Sequence, residues 1–144
     1  MMKNMTKNNV IVVGGGMVGA AMAIKLAQQG KAVRVIEKHP IDASQVLSSD
    51  DVDIRVSAIN RFSEKLLDQL GAMPLLRANR LAPYEQLETF ERGNDHLLFD
   101  CHAINTTHLG HLIENKLIQA SLWQQFVQHN IEMINPSSAL TAIE

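Results

Sequence analysis

The chain has 144 residues and a mass of 16.0 kDa, which at roughly 100 to 200 residues per domain is expected to be one domain at most or a piece of one. Hydrophobic residues at 46% and charged residues at 19% lie near globular averages and far from the composition of disordered chains. Thirteen basic against fifteen acidic side chains give a net charge of −2 without any basic block, which argues against nucleic acid as a partner. The single cysteine, Cys101, excludes an internal disulfide and a paired-cysteine zinc knuckle, so a reducing, cytoplasmic setting fits.

Residues 1–8 are polar and aperiodic and read as a frayed leader. Lys3 and Lys7, the apolar run from Val10 to Ile24 and the tripeptide Ala21-Met22-Ala23 trace the outline of a secretory signal. Gly14-Gly15-Gly16 breaks the run, at about 1 kcal/mol per glycine relative to alanine in a helix. The run also falls short of the roughly 20 residues that span a bilayer, and the secretory reading is set aside.

Val10-Ile-Val-Val13, β-branched and without polar alternation, predicts a strand buried on both faces of a parallel sheet. A helix follows over Met17 to Gln29, closed by Gly30, and a second strand over Ala32 to Ile36. Residues 10–36 thus predict a strand–helix–strand unit with parallel neighbours. From His39 to Asp53 the composition predicts a long loop. Asn60 or Ser63 caps a helix reaching Leu70, with Phe62, Leu66, Leu67 and Leu70 on one face and Gly71 as its stop. Gln86 to Glu91 and His96 to Asp100 flank the turn Arg92-Gly93-Asn94-Asp95 and predict a β-hairpin.

Thr106 or Thr107 is expected to cap a helix running to about His129, its apolar stripe carrying Leu109, Leu112, Ile113, Leu117, Leu122, Trp123, Phe126 and Val127. Ile131 to Ile134 predicts a strand, and Ala139 to Ile143 another, cut open by the end of the sequence. The predicted fold class is α/β: a Rossmann-like FAD/NAD(P)-binding βαβ unit with part of a mixed sheet, incomplete at the C-terminus.

Chemistry concentrates in Gly14-Gly15-Gly16-Met17-Val18-Gly19, which satisfies Gly-x-Gly-x-x-Gly between a strand and a helix. Glu37, at the end of the second strand, lies 37 − 14 = 23 positions on, near the roughly 20 expected of an acid that binds ribose. Gly14 permits the tight turn, Gly16 lets backbone N–H groups approach a pyrophosphate, and Gly19 allows close helix packing. The diphosphate then meets the positive end of the helix. A carboxylate on the ribose disfavours a 2′-phosphate, which points to FAD or NAD without deciding between them.

The chain resembles the FAD-dependent aromatic hydroxylases of the ubiquinone-biosynthesis branch, similar in fold to p-hydroxybenzoate hydroxylase. The likeness rests on residues 10–19, on Val35-Ile-Glu37, on Asp53-Ile-Arg-Val-Ser-Ala-Ile-Asn60 with Leu66-Leu67 and Leu70-Gly71, and on Glu114-Asn-Lys-Leu-Ile-Gln119. It implies that Arg55 contacts the flavin and that Asn115 reaches it from a helix. Carried over with them as cofactor-binding candidates are Gly14, Gly16, Met17, Val18, Gly19, Glu37, Lys38, Ser57 and Gln119. It implies a monooxygenase in which NAD(P)H reduces bound FAD and O2 then hydroxylates a polyprenylated phenol or quinol, no side chain of this chain serving as acid, base or nucleophile.

Family members are longer and carry a later Gly-Asp motif, so the chain is expected to be the N-terminal portion of such an enzyme, inactive alone, with the substrate-domain strands beginning at about residues 84–101. A lipid substrate implies peripheral contact with a membrane. The alternatives are a non-catalytic Rossmann-type module that oligomerises or binds a partner through an open sheet edge, and an NAD-dependent oxidoreductase.

The plain alternative for Arg55 is pairing with Asp50, Asp51 or Asp53, and for Asn115 and Gln119, one turn apart, exposure on a surface helix. His108 and His111 stand at i, i+3 as metal ligands can, but with no third ligand evident they read as a solvated pair at a helix start. Cys101-His102 reads as an inert, buried thiol.

Overall fold

A computed structural model describes residues 9–91 and 95–136. The predicted βαβ unit is present as β1 (Asn9–Val13), α1 (Met17–Gln28) and β2 (Ala32–Ile36). β1 and β2 pair in parallel with Asn9 opposite Ala32, and β8 (Glu132–Ile134) adds to the other edge of β2, also in parallel. Gly30, at φ +81°, ends α1 as predicted.

The core gathers where α1, lying on β2, meets α5 (Asn115–Gln128). Ala20, Ala23 and Ile24 of α1, Val33 and Val35 of β2, and Leu117, Leu122, Trp123 and Phe126 of α5 are buried together. The expected two-sided burial of β1 does not hold: Ile11 and Val13 are 61% and 55% exposed. α1 packs on one face of the strand, and a uniformly β-branched run carries no mark of which face is covered.

Two further expectations are corrected. The 39–53 loop contains a short helix, α2 (Ala43–Ser48), started by Asp42, whose Oδ1 accepts from the N–H of Gln45 at 2.9 Å. Ile41, Ala43, Val46 and Leu47 lean on the core, a face too short to register as a period. Nor does one helix run from 106 to 129. Gly110–Glu114 form β7, and α5 begins only at Asn115. Leu109, Leu112 and Ile113 suit either period, and antiparallel partners on both sides of β7 decide for the strand.

Those partners are β3 (Val56–Asn60) and β4 (Ala82–Tyr84), in the order β3-β7-β4. The hairpin of β5 (Gln86–Phe90) and β6 (His96–Asp100) forms as predicted. The antiparallel strands make sheets of their own and do not extend the parallel one into a mixed sheet. α3 (Arg61–Gln69) is capped by Asn60, whose Oδ1 accepts from Ser63 N–H at 2.9 Å, and Gly71 at φ +81° follows it. α4 (Met73–Ala78) was not predicted. The leader, residues 92–94 of the hairpin turn and the strand expected over 139–143 lie outside the described residues. Among the described residues no helix is long and apolar enough to cross a membrane.

Candidate functional site

The glycine loop joins β1 to α1. Gly14, at φ +96°, donates its N–H to the carbonyl of Ile36 at 2.8 Å, tying the turn to the end of β2. At Gly19 a Cβ would stand 1.9 Å from the carbonyl oxygen of Gly14, so α1 can lie this close to the loop only with glycine there. Gly16 is the exposed N-cap of α1, with no side-chain cap, and open space surrounds it. The first-turn N–H groups of a twelve-residue helix therefore face outward unanswered, an arrangement that attracts an anion. Gly14, Gly16, Met17, Val18 and Met22 line an open groove of about 520 Å³ beside it.

Glu37 is held in place by the loop. One carboxylate oxygen accepts from the N–H of Gly15 at 2.6 Å and the other from the N–H of His39 at 2.8 Å. Each oxygen keeps a lone pair for a further donor. The carbonyl of the same Gly15 accepts from Trp123 Nε1–H at 2.7 Å and from Gln119 Nε2 at 3.0 Å. Gly15 is thus fixed on its amide side by β2 and on its carbonyl side by α5. The candidate residue Gln119 shapes the loop, and its reading as an exposed surface amide falls. Trp123, taken from the sequence only as part of an apolar stripe, does the same work. Its signal was available, since an indole N–H in a buried stripe needs an acceptor.

A second cluster gathers where β3 meets the start of α5. Asn115 donates its N–H to the carbonyl of Arg55 at 2.9 Å, and its Oδ1 accepts from the hydroxyl of Ser57 at 2.6 Å. α5 therefore joins both clusters, through Asn115 at one turn and Gln119 at the next. The Arg55 guanidinium makes no hydrogen bond or salt bridge among the described residues. Of the aspartates proposed to neutralise it, Asp53 pairs with Lys116 at 3.0 Å and accepts from the Arg55 N–H. Backbone donation from Arg55, with help from Lys116, holds the Asp53 carboxyl below its ordinary range. Lys38 is exposed.

Beneath this cluster Arg80 acts as a strap. Its guanidinium donates to Glu114 Oε1 at 2.8 Å and to the carbonyls of Ser49 and Asp51 at 2.8 and 2.9 Å. The buried Glu114 also accepts from the N–H of Asp53 at 2.8 Å. The segment leading to Arg55 is therefore fixed to the junction of β7 and α5. Arg80→Met should destabilise the chain by about 3 kcal/mol, because a buried carboxylate loses its cation; urea melts of the two proteins measure this.

The Arg80 guanidinium holds Glu114 below its ordinary value of 4.5, against the upward push of burial. The unfolded chain then binds more protons than the folded one as pH falls past 4.5, so this stabilisation, complete above that value, is lost through the lower folded pKa. Thermal melts across that range should show a falling midpoint, and a smaller fall in the Arg80→Met chain.

The remaining candidates change character. His108 and His111 are not a solvated pair at a helix start. They flank the entry to β7, half-buried, and Glu64 of α3 bonds to both, at 3.1 Å from His108 Nε2 and through Nδ1 of His111. Cys101 is buried, and burial pushes its thiol up, as an inert cysteine requires.

Residues 9–49 match the family of FAD dependent oxidoreductases, which supports FAD as the dinucleotide. The chain is 40% identical over 134 residues to 3-demethoxyubiquinol 3-hydroxylase of Escherichia coli (strain K12), covering 93% of this chain and 34% of that protein. It is 32% identical over 143 residues to the mitochondrial ubiquinone biosynthesis monooxygenase COQ6 of Xenopus tropicalis, covering 92% and 30%. Among solved structures, p-nitrophenol 4-monooxygenase PnpA from Pseudomonas putida DLL-E4 superposes with a TM-score of 0.61 at 21% identity, covering 88% of this chain and 32% of that one. The Diels-Alderase PyrE3 superposes with a TM-score of 0.67 at 18% identity, covering 96% and 27%, a reminder that the shared fold by itself does not fix the reaction. The chain is thus similar to a hydroxylase and a monooxygenase of ubiquinone biosynthesis and spans about a third of their length.

Proposed function

We propose that this chain binds the adenosine diphosphate half of FAD and supplies that part of a monooxygenase which hydroxylates the ring of a polyprenylated phenol or quinol. The observation that carries the reading is the Gly15 peptide, locked between Glu37 and α5 while the N-terminus of α1 beside it stays uncapped. The pyrophosphate would lie on the N–H groups of Gly16, Met17 and Val18. Glu37, already oriented by two backbone donors, would accept from the ribose hydroxyls, and Gly14 and Gly19 would keep the turn close to the helix. Arg55, Ser57 and Asn115 would face the flavin end, with the unpaired guanidinium of Arg55 offering the positive charge, and Lys38 would flank the ribose. When bound, FAD would supply the redox and oxygen-transfer chemistry, with NAD(P)H as electron donor.

Hydroxylation is proposed for a protein of the relatives' length, in which the strands from about residue 84 begin the substrate-binding sheet and a lipid-borne substrate brings peripheral membrane contact. Titration of the chain with FAD, followed by quenching of flavin fluorescence, tests the binding. Glu37→Gln should weaken FAD about tenfold, or about 1.4 kcal/mol, with the far-ultraviolet circular dichroism unchanged. Equal affinity in the two proteins, or tight NAD binding without FAD binding, would overturn the reading.

A further inference from the structure

The two histidines for which the sequence offered no third partner acquire one in the fold. Glu64 from α3, His108 from the segment before β7 and His111 from β7 bring three donor atoms within 4.8 Å of one another. Glu64 stands 44 and 47 positions from the histidines in the sequence, so only tertiary structure assembles the group.

Three observations distinguish it from an ordinary surface ion pair. The side chains are only 13% to 21% exposed, shielded yet within reach of an ion from solvent. Among the described residues no lysine or arginine pairs with Glu64, so a largely buried carboxylate has only two imidazoles to answer its charge. The other ring nitrogen of His108 is fixed by the hydroxyl of Thr107 at 2.9 Å, the outer hydrogen bond by which ligating histidines are oriented. The rings of His108 and His111 are 4.6 Å apart and inclined at 57°, each presenting a nitrogen to Glu64.

We propose that Glu64, His108 and His111 form a binding site for a divalent transition-metal ion, with zinc the best match. Two imidazole nitrogens and one carboxylate oxygen suit zinc at bond lengths of about 2.0 to 2.1 Å, and three protein ligands leave a fourth position for water. Softer ions that prefer thiolates are disfavoured, as are magnesium and calcium, which prefer oxygen donors throughout. The ion supplies the positive charge that Glu64 lacks and pins α3 to β7. The site stands apart from the glycine loop and does not depend on the flavin reading.

Cobalt(II) is the probe. Added to the 144-residue chain, it should bind as one equivalent with the visible absorption of a four-coordinate nitrogen and oxygen site, be displaced by zinc, and raise the melting temperature, as binding to the folded state requires. Glu64→Gln and His111→Gln should each weaken cobalt at least roughly a hundredfold, a loss of about 2.7 kcal/mol, while His129→Gln has no effect. Should the variants fold poorly, zinc should still protect His108 and His111 of the unaltered chain from acylation by diethyl pyrocarbonate, read by peptide mass spectrometry. Absence of the visible band, unchanged affinity in both variants, or unprotected histidines would overturn the site. So would a thiolate-to-cobalt band in the near ultraviolet, which would move the ion to Glu85, Cys101 and His102, the other donor group of this kind among the described residues.

Discussion

Gly19→Ala should abolish measurable FAD binding and lower stability by about 3 kcal/mol, the upper part of the usual range for overpacking. The added methyl would stand 1.9 Å from the Gly14 carbonyl oxygen and 3.5 Å from Val12 Cγ1, and the first of these is a collision with backbone. Relief requires either that α1 move off the loop or that the Gly14 peptide turn. The first strips Ala20, Ala23 and Ile24 from the core. The second breaks the 2.6 Å bond from Gly15 N–H to Glu37 and disturbs the donors proposed to face the pyrophosphate. Urea melts and flavin titration of the purified variant read the two effects, and wild-type values in both would contradict the packing described for α1. Gly16→Ala is the contrasting case: its methyl meets no atom within 4 Å, so stability should hold while affinity falls.

The second large effect is expected from Trp123, which is 7% exposed. Trp123→Phe keeps an aromatic ring in the core but deletes the donor to the Gly15 carbonyl. Gln119 still reaches that oxygen at 3.0 Å, so the single change should cost about 1 to 2 kcal/mol of stability and weaken FAD about tenfold. Trp123→Phe combined with Gln119→Leu leaves the carbonyl with neither donor, and the joint loss should exceed the sum of the two single losses, since each donor partly covers for the other. A strictly additive double-mutant cycle in flavin affinity would mean that α5 does not set the loop. Trp123→Ala would be less informative, because losing the indole volume alone costs about 3 to 5 kcal/mol.

What the sequence made legible follows from how locally each feature is encoded. The βαβ unit, the glycine loop and Glu37 were readable because strand, turn, helix and acid follow one another within residues 9–37, and the β5–β6 hairpin because it closes within residues 86–100, each with its own residue chemistry. β7 was lost inside a predicted helix because its apolar residues fit both periods and its strand state is decided by β3 and β4, tens of residues away. α2 and α4, six residues each, are too short for a period to accumulate. In the candidate site, Arg55, Ser57 and Asn115 came from family likeness, and the structure gathers them by bonds that spacing does not show. Trp123, Arg80 and Glu64 act through partners 108, 34 and at least 44 positions away, a separation that no local pattern registers.

The peptide of Gly15, gripped on both sides, has a thermodynamic corollary. The ordering entropy of the proposed phosphate cradle is charged to folding and not to ligand capture, so little conformational freedom would remain to be surrendered on cofactor binding. Substitutions in the grip should therefore move melting temperature and flavin affinity in step. Those at Arg55, whose side chain is not gripped, should shift affinity and leave thermal stability where it was.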